Sequence, residues 1–349
     1  MLSFGLKFVR LVAYLGFTLV CIPLQVLALT FTANFARRFP MFYHRQVCRI
    51  LGLRVSVWGQ LTSKTPVLFV VNHASYLDIE VLGGVLPGSF VAKSEVKSWP
   101  LFGFLAKLQR TVFVDRQVRS SSEQRDSLTE RLRAGGNLIL FPEGTSNDGA
   151  HIRPFKSSLF AVAEQTFEKG PVTVQPVTLA YTGINGMPAR YGQRHKLAWY
   201  GDMELASHLW HLIGLGTVEA QIILHPPVEI ARFGNRKRLT EHCSKQIRET
   251  LALANAGRLA PVPLAATAAA AAAERVTRGR PEGTSSQANT EPQNATPQNT
   301  MAADLMPEMM MPMTIAPPVV DASPLPAPML AGSPDTDRLI AATERTRDS

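Results

Sequence analysis

The sequence predicts an α/β fold: a mixed, largely parallel sheet flanked by helices, with an N-terminal membrane-embedded helical segment and a disordered C-terminal tail. Three observations predict this architecture. Residues 11–36 contain no charged side chain, short apolar runs alternate with helical patterns between residues 41 and 257, and the composition changes abruptly after Leu259. We therefore divide the 349 residues into a membrane anchor (1–40), a globular domain (41–257) and a tail (258–349).

The N-terminal apolar run is long enough to be embedded in a membrane. Its 26 residues exceed the about 20 that a helix needs to cross a bilayer, and they exceed the apolar core of a cleaved signal peptide, which is the alternative. Lys7 and Arg10 precede the run and Arg37, Arg38, Arg45 and Arg49 follow it, so positive charge at both ends does not show whether the run spans. Because Pro23 and Gln25 also interrupt it, we favour a bent hairpin in one leaflet over a single span. The excess of basic residues on the second flank predicts a cytoplasmic domain in either case.

Six apolar runs in the globular domain predict buried strands, and several of them precede helix-like stretches. They cover residues 66–72, 88–92, 111–114, 137–141, 172–180 and 218–225. Residues 236–253 combine charged positions with apolar ones at helical spacing, which predicts an amphipathic helix that closes the domain. This alternation of strands and helices indicates a largely parallel sheet.

The tail has a composition typical of disorder. Residues 259–349 contain no Phe, Trp or Tyr and hold 13 of the chain's 25 prolines. So few large apolar side chains cannot offset the entropy that is lost when a segment orders.

Charge divides the chain into a basic body and an acidic tail. Residues 1–258 carry 30 basic and 17 acidic side chains, whereas residues 259–349 carry 6 and 10. A basic body favours an anionic partner, here membrane lipid or an acidic carrier protein. No nucleic acid is expected, because the basic residues are dispersed and form no aromatic-interleaved stripe. The widely spaced Cys21, Cys48 and Cys243 predict unpaired thiols in a reducing compartment.

The segment from Asn72 to Asp78 follows the first predicted strand and contains the pattern N-H-x4-D. On a regular helix, a separation of five residues places side chains about 140° apart. His73 and Asp78 therefore meet only if His73 lies on the turn and Asp78 on the first turn of the next helix. In that arrangement His73 could take a proton from an attacking hydroxyl while Asp78 holds its ring. A helix-capping pair is the structural alternative.

Two further strand ends carry polar motifs. The sequence F-P-E-G-T-S at 141–146 places Gly144 between Glu143 and Thr145, which is typical of a loop that approaches a polar substrate closely. The sequence V-F-V-D-R at 112–116 ends on Arg116, whose guanidinium group matches a phosphate by bidentate hydrogen bonds. The structural alternatives are a helix cap for Glu143 and a surface ion pair between Asp115 and Arg116.

Together these blocks resemble the glycerolipid acyltransferase family, the lysophosphatidic acid (1-acylglycerol-3-phosphate) acyltransferases. Four blocks occur in the family's order: N-H-x4-D at 72–78, F-V-D-R at 113–116, F-P-E-G-T-S at 141–146 and V-Q-P-V at 174–177. The resemblance covers residues 45–230, with Arg110 standing where the family usually has glycine. The stretches around Lys93, Arg110 and Lys156 are also similar to the bacterial lyso-ornithine lipid acyltransferases, a branch of the same family.

The resemblance implies roles for eight residues. His73 would be the general base and Asp78 would orient its ring. Lys93 would help to neutralise the tetrahedral oxyanion or the phosphate. The complete set of implied substrate-binding residues is Lys93, Arg116, Glu143, Gly144, Thr145 and Lys156. No metal site is expected, because no Cys, His or carboxylate cluster has ligand spacing.

The resemblance also implies a reaction. We expect transfer of a fatty acyl group from acyl-carrier protein or acyl-CoA, without a further cofactor, to the hydroxyl of lysophosphatidic acid, which makes phosphatidic acid for phospholipid synthesis. Lyso-ornithine lipid is the alternative acceptor. The expected location is the bacterial inner membrane, with the catalytic domain on its cytoplasmic side. An alternative of another class is a non-catalytic membrane lipid-binding adaptor, for which His73→Ala would preserve function.

Overall fold

The structure is a computed structural model that describes residues 2–114, 121–168 and 170–259. The predicted disordered tail lies outside these residues except for its first two positions. Within the described residues, the element order alternates strands with helices between Leu53 and Asn255. This alternation is the one that the apolar runs predict.

Eleven strands are present in the described part of the chain: β1 Leu53–Gly59, β2 Val67–Val71, β3 Ser89–Lys93, β4 Val112–Val114, β5 Leu138–Leu140, β6 Thr166–Phe167, β7 Gly170–Pro171, β8 Thr173–Ile184, β9 Met187–Pro188, β10 Val218–Leu224 and β11 Val228–Glu229. The main sheet has the order β1-β10-β8-β2-β5-β3-β4, with β9 and β11 also paired to β8. Along that path only β8 and β10 pair antiparallel. The predicted mixed, largely parallel sheet is confirmed, and each of the six predicted runs overlaps a strand.

Eight α-helices flank the strands within the same residues: α1 Leu2–Phe31, α2 Ala33–Leu51, α3 Leu77–Gly83, α4 Phe102–Leu108, α5 Ser121–Arg133, α6 Tyr191–Arg194, α7 Leu205–Ile213 and α8 Arg236–Asn255. Short 3-10 helices span Ser94–Ser98, Ser157–Glu164 and Ile230–Arg232. The predicted closing helix corresponds to α8, which begins where Asn235 accepts a hydrogen bond from the backbone N–H of Arg238.

The core lies on both faces of the sheet, because alternate residues of a strand point to opposite sides. Phe69 and Val71 of β2 join the apolar cluster on the side of α2, α3 and α7. Leu68 and Val70 join the cluster on the side of α5 and α8. Both faces of β2 are therefore buried, which explains its uninterrupted apolar sequence.

The helices α1 and α2 form a hairpin that packs along the domain. The ring of Phe17 stacks on Tyr43, with centroids 5.7 Å apart. Arg10 donates to the carbonyl oxygens of Ile213 and Gly216, at 2.9 and 2.6 Å. The predicted boundary between residues 40 and 41 thus falls inside α2, because this helix continues to Leu51 to pack on α3.

The outer face of the hairpin is apolar. Phe4–Phe31 is long and apolar enough to cross a membrane, and most of its side chains are not buried by the protein. Exposed large apolar residues run along this face, among them Phe8, Val12, Leu19, Leu27 and Phe31. An uncovered apolar surface of this extent indicates association with a membrane. The preference for one leaflet over a single span stays a prediction.

Candidate active site

His73 and Asp78 are in contact. His73 lies in the loop after β2, and Asp78 is the second residue of α3. The Nδ1 atom of His73 lies 2.7 Å from Oδ2 of Asp78. The geometric condition that the five-residue separation imposed is therefore met, with one residue on the turn and the other on the first helical turn.

Asp78 is fully buried and surrounded by hydrogen-bond donors. The backbone N–H groups of Ala74 and Ser75 donate to Oδ2 at 2.7 and 3.0 Å, and the hydroxyl of Tyr181 donates to Oδ1 at 2.7 Å. These donors fit the ionised carboxylate, which only accepts hydrogen bonds. Asp78 therefore fixes both the loop and the ring of His73. The helix-capping alternative is wrong, because the amides that Asp78 accepts from precede Tyr76, the N-cap residue of α3, and this helix has no side-chain capping bond.

Glu143 ties the loop after β5 to the loop after β2. Its Oε1 accepts the backbone N–H of His73 at 2.8 Å, and its Oε2 accepts the N–H of Arg153 at 2.7 Å and a hydrogen bond from the Asn147 amide. In return, the backbone N–H of Asn147 donates to the carbonyl oxygen of His73. Burial raises the pKa of Glu143, and these hydrogen bonds oppose that rise.

The ring of His73 faces a cavity. Phe141 stacks against it with centroids 4.1 Å apart, and about 20% of the His73 side chain is exposed. Since Asp78 takes Nδ1, Nε2 is the ring nitrogen available to a ligand. The loop position follows from the sheet, because β2 and β5 are parallel neighbours whose carboxyl ends lie side by side.

The cavity beside His73 has a volume of about 520 Å³ and is mostly apolar. This volume lies within the range of small-molecule sites. The hairpin forms one wall with Tyr14, Ile22 and Phe39, and α4 forms another with Phe102 and Leu105. An apolar chamber that starts at a histidine and continues beneath a membrane-facing hairpin has the shape and chemistry for a fatty chain.

The predicted substrate-binding residues lie in different surroundings. Lys93, Gly144 and Thr145 line the cavity with His73. Gly144 has a φ of 75°, in the left-handed region that favours glycine. Glu143 is buried behind this lining, and Lys156 is exposed to solvent. Arg116 lies outside the described residues.

Two contributors escaped sequence reasoning. Tyr181 lies on β8, 103 residues from Asp78, and burial, followed by the charge of Asp78, raises its pKa well above the ordinary value. Asn72 was noted only as part of a motif, yet its amide exchanges two hydrogen bonds with the backbone of Leu179, at 2.8 and 2.9 Å. No local sequence pattern identifies Tyr181. The position of Asn72 at the end of a strand, in contrast, was predictable from the apolar run that precedes it.

Among the described residues, no group of three His, Cys, Asp or Glu side chains is arranged to hold a metal ion. Cys21, Cys48 and Cys243 are all buried and unpaired, as their spacing predicts.

A scan against family models matches residues 53–180 to the model described as Acyltransferase. A lyso-ornithine lipid O-acyltransferase from Rhizobium meliloti is 41% identical over 238 residues, which cover 67% of this chain and 82% of that protein. This chain belongs to the acyltransferase family.

Other relatives support this membership of the acyltransferase family. A lyso-ornithine lipid O-acyltransferase from Brucella abortus is 39% identical, over 73% of this chain and 97% of that protein. A 1-acyl-sn-glycerol-3-phosphate acyltransferase from Neisseria gonorrhoeae is 31% identical, over 53% and 69%. The crystal structure of a 1-acyl-sn-glycerophosphate acyltransferase from Thermotoga maritima shares the fold, with a TM-score of 0.50 and 20% identity over 70% of this chain and 96% of that one.

Proposed function

We propose that this acyltransferase moves a fatty acyl group from a thioester to the hydroxyl of a lysolipid at a membrane surface. The observation that carries the proposal is the His73–Asp78 pair, in which His73 lines an apolar cavity and Asp78 is buried behind it. An alcohol is a weak nucleophile, and a general base activates it by taking its proton. A thioester is already activated for acyl transfer. General-base catalysis of this kind contributes about 10²–10⁴-fold.

His73 acts through Nε2. It takes the proton from the acceptor hydroxyl as the oxygen attacks the thioester carbonyl carbon, which gives a tetrahedral intermediate. Collapse of the intermediate breaks the carbon–sulfur bond, and the departing sulfur receives the proton from His73. The products are an ester and a free thiol, and Asp78 stabilises the imidazolium between the two proton transfers.

Charged and polar groups beside His73 would meet the negative charge of the reaction. Lys93, Gly144 and Thr145 line the same cavity, so they are placed to contact the oxyanion or the acceptor's head group. Arg116 and Lys156 remain proposed anion-binding residues. For Glu143 we propose a positioning role, because its carboxylate is occupied by donors from His73, Asn147 and Arg153.

We propose lyso-ornithine lipid as the preferred acceptor. The relatives named lyso-ornithine lipid O-acyltransferase share 41% and 39% identity with this chain and are matched over most of their length. Lysophosphatidic acid is the second candidate, favoured by the 31% identity to the Neisseria gonorrhoeae enzyme and by the cationic Lys93 in the cavity wall. Both acceptors present a hydroxyl to the same base.

For the donor we propose acyl-carrier protein or acyl-CoA, and for the location the cytoplasmic side of the bacterial inner membrane. The basic body supports both proposals, because a carrier protein and the cytoplasmic leaflet are acidic. The reduced state of all three cysteines agrees with a reducing compartment.

The test is an acyl-transfer assay with purified full-length protein in detergent. Labelled acyl-carrier protein or acyl-CoA is offered with each lysolipid in turn, for the wild type, His73→Ala and the control His151→Ala. His151 is an exposed histidine paired with Asp148, outside the cavity. We expect product from the wild type and the control and a loss of at least about 100-fold in His73→Ala. Equal turnover in His73→Ala would reject His73 as the general base, whereas no product from the wild type with any donor and acceptor would favour a lipid-binding adaptor.

A further inference from the structure

Three arginines from separate parts of the chain converge beside the turn of the hairpin. We call Arg37 of α2, Arg110 before β4 and Arg131 of α5 the arginine cluster. The side chain of Gln25 brings the first two together, since its amide donates to the carbonyl oxygens of Ala36 and Leu108, at 3.1 and 2.9 Å. Arg131 approaches from the opposite side, because α5 packs on β4 through Leu128 and Leu132.

The arginine cluster has no acidic partner among the described residues: none of its members forms an ion pair or a side-chain hydrogen bond there. One guanidinium nitrogen of Arg131 is buried without a hydrogen-bond partner. Burial and then the mutual repulsion of the cations lower the pKa of Arg110 and of Arg131. A buried donor without an acceptor and three like charges together are unfavourable unless an anion lies between them.

The backbone at Arg110 adds an independent observation. Its φ is 64°, in the left-handed region where a residue with a Cβ is strained. Glycine adopts this conformation without strain. Arginine therefore carries a conformational cost here that a ligand contact would offset.

We propose that Arg37, Arg110 and Arg131 form a binding site for a phosphate group, separate from the catalytic centre. Guanidinium groups suit this ligand, because each presents two parallel N–H donors to two phosphate oxygens. Arg110 precedes β4, whereas the catalytic loops follow the carboxyl ends of β2 and β5.

The surroundings favour a phospholipid head group as the source of the phosphate. Arg37 lies on the hairpin whose outer face is apolar, two positions after the exposed Phe35. Phe104 of α4, which precedes Arg110 in the chain, is also exposed. Cations at the border of an apolar membrane surface meet lipid phosphates at that depth. The phosphates of a thioester donor are the second source, because Gln109 and Thr111, on either side of Arg110, line the cavity.

The first experiment measures phosphate binding through thermal stability in detergent. Full-length wild type, Arg131→Gln, Arg131→Lys and the control Arg133→Gln are titrated with potassium phosphate against potassium chloride of equal ionic strength. Arg133 lies on the same helix but is exposed and paired with Glu130. We expect saturable stabilisation in the wild type and the control, with affinity reduced about 10-fold or more in both Arg131 variants. If Arg131→Gln binds phosphate with the affinity of the wild type, the proposed site is wrong. If Arg131→Lys retains the full phosphate affinity, binding reflects positive charge in general, and this result also contradicts the proposal.

For Arg110→Gly we expect a gain in stability without phosphate together with a loss of the response to phosphate. This variant removes both the left-handed strain and one repelling charge, so its melting temperature without phosphate should be above that of the wild type. Its response to phosphate should be lost. A lower melting temperature in phosphate-free buffer would show that Arg110 stabilises the fold by itself and would contradict the proposal.

The second experiment distinguishes the sources of phosphate. Co-sedimentation with vesicles of phosphatidylcholine, with and without phosphatidylglycerol, is compared with binding of coenzyme A, for wild type and Arg131→Lys. A loss of binding to phosphatidylglycerol vesicles assigns the site to a lipid head group, and a loss of coenzyme A binding assigns it to the donor. If both affinities are unchanged in Arg131→Lys, the arginine cluster is not a phosphate site.

Discussion

Tyr181 donates its hydroxyl to Oδ1 of Asp78 at 2.7 Å, and so occupies the carboxylate oxygen that His73 leaves unused. The tyrosine lies on β8 beyond the residues that pair with β2, at a position opposite Ala220 of β10. The orientation of the proposed catalytic pair is therefore fixed by a buried residue of the sheet as well as by the loop that carries His73.

For Tyr181→Phe we expect kcat to fall about 10-fold with little change in KM, because one hydrogen bond that orients Asp78 is lost while the cavity keeps its shape. Steady-state kinetics and the pH profile of kcat measure the effect, since a purely structural role would leave the profile unmoved. Tyr191→Phe is the matched control, as Tyr191 is exposed. Unchanged kinetics in Tyr181→Phe would show that Asp78 needs no help from the sheet.

Glu143→Gln should impair both stability and turnover. Glutamine has one acceptor oxygen in place of two. Its NH₂ group is itself a donor, and it would face either the backbone N–H of His73 or the two donors from Asn147 and Arg153, all of which now donate to Glu143. We expect a loss of about 1–3 kcal/mol in the free energy of unfolding, together with a lower kcat. Urea denaturation and the acyl-transfer assay measure the two effects. Glu241→Gln, at an exposed position of α8, should change neither.

Acid should destabilise the fold through His225. This side chain is buried and hydrogen-bonded to Thr178, and burial, followed by the charge of His242, lowers its pKa to about 4. Between pH 6.5 and pH 4 the unfolded chain therefore binds a proton that the folded chain does not, so stability is complete above pH 6.5 and decreases as the pH falls. The difference corresponds to about 3 kcal/mol.

The measurement is urea denaturation of wild type and His225→Asn at several pH values between 4 and 8. The variant should be less stable at pH 8, but its stability should depend less steeply on pH below 6.5. Parallel curves for the two proteins would assign the acid sensitivity to other groups.

Ala106→Trp should shift the preferred acyl chain to a shorter length. Ala106 lies on α4 in the cavity wall, where an indole ring would occupy space that a fatty chain needs. We expect kcat/KM for the longest accepted chain to fall at least about 10-fold, and that for short chains to fall less. Ala252→Trp, at an exposed position of α8, is the control. A uniform loss across all chain lengths would indicate that this wall does not contact the acyl group.

Sequence reasoning reached the parts of the fold that local patterns encode. The strand β2 is buried on both faces and was predicted within one residue at each end, whereas the predicted run for β8 stops four residues before that strand ends at Ile184. The edge strand β1 escaped prediction because Leu53 is its only buried residue, and because Arg54 and Ser56 interrupt its apolar sequence. The pairing of His73 with Asp78 was predictable because both lie in one short segment.

Contacts between distant segments were not predictable in this way. Tyr181 reaches Asp78 only because β8 and β2 are neighbours in the sheet, and a single sequence does not reveal that order. Glu143 was found through its motif, but its hydrogen bonds to backbone groups have no signature in residue type. The contact between the hydroxyls of Thr18 and Tyr43, at 2.9 Å, likewise joins segments that the predicted boundary between residues 40 and 41 had separated.

The hairpin forms part of the wall of the proposed substrate cavity, through Tyr14, Ile22 and Phe39, in addition to its proposed attachment to lipid. An unrelated membrane helix grafted onto residues 53–259 would restore tethering but leave the chamber open to water. Soluble truncations of this enzyme would fail for the same reason, however well they folded. Engineering of chain-length selectivity can therefore begin on the inner faces of α1 and α2, a part of the sequence normally discarded as an anchor.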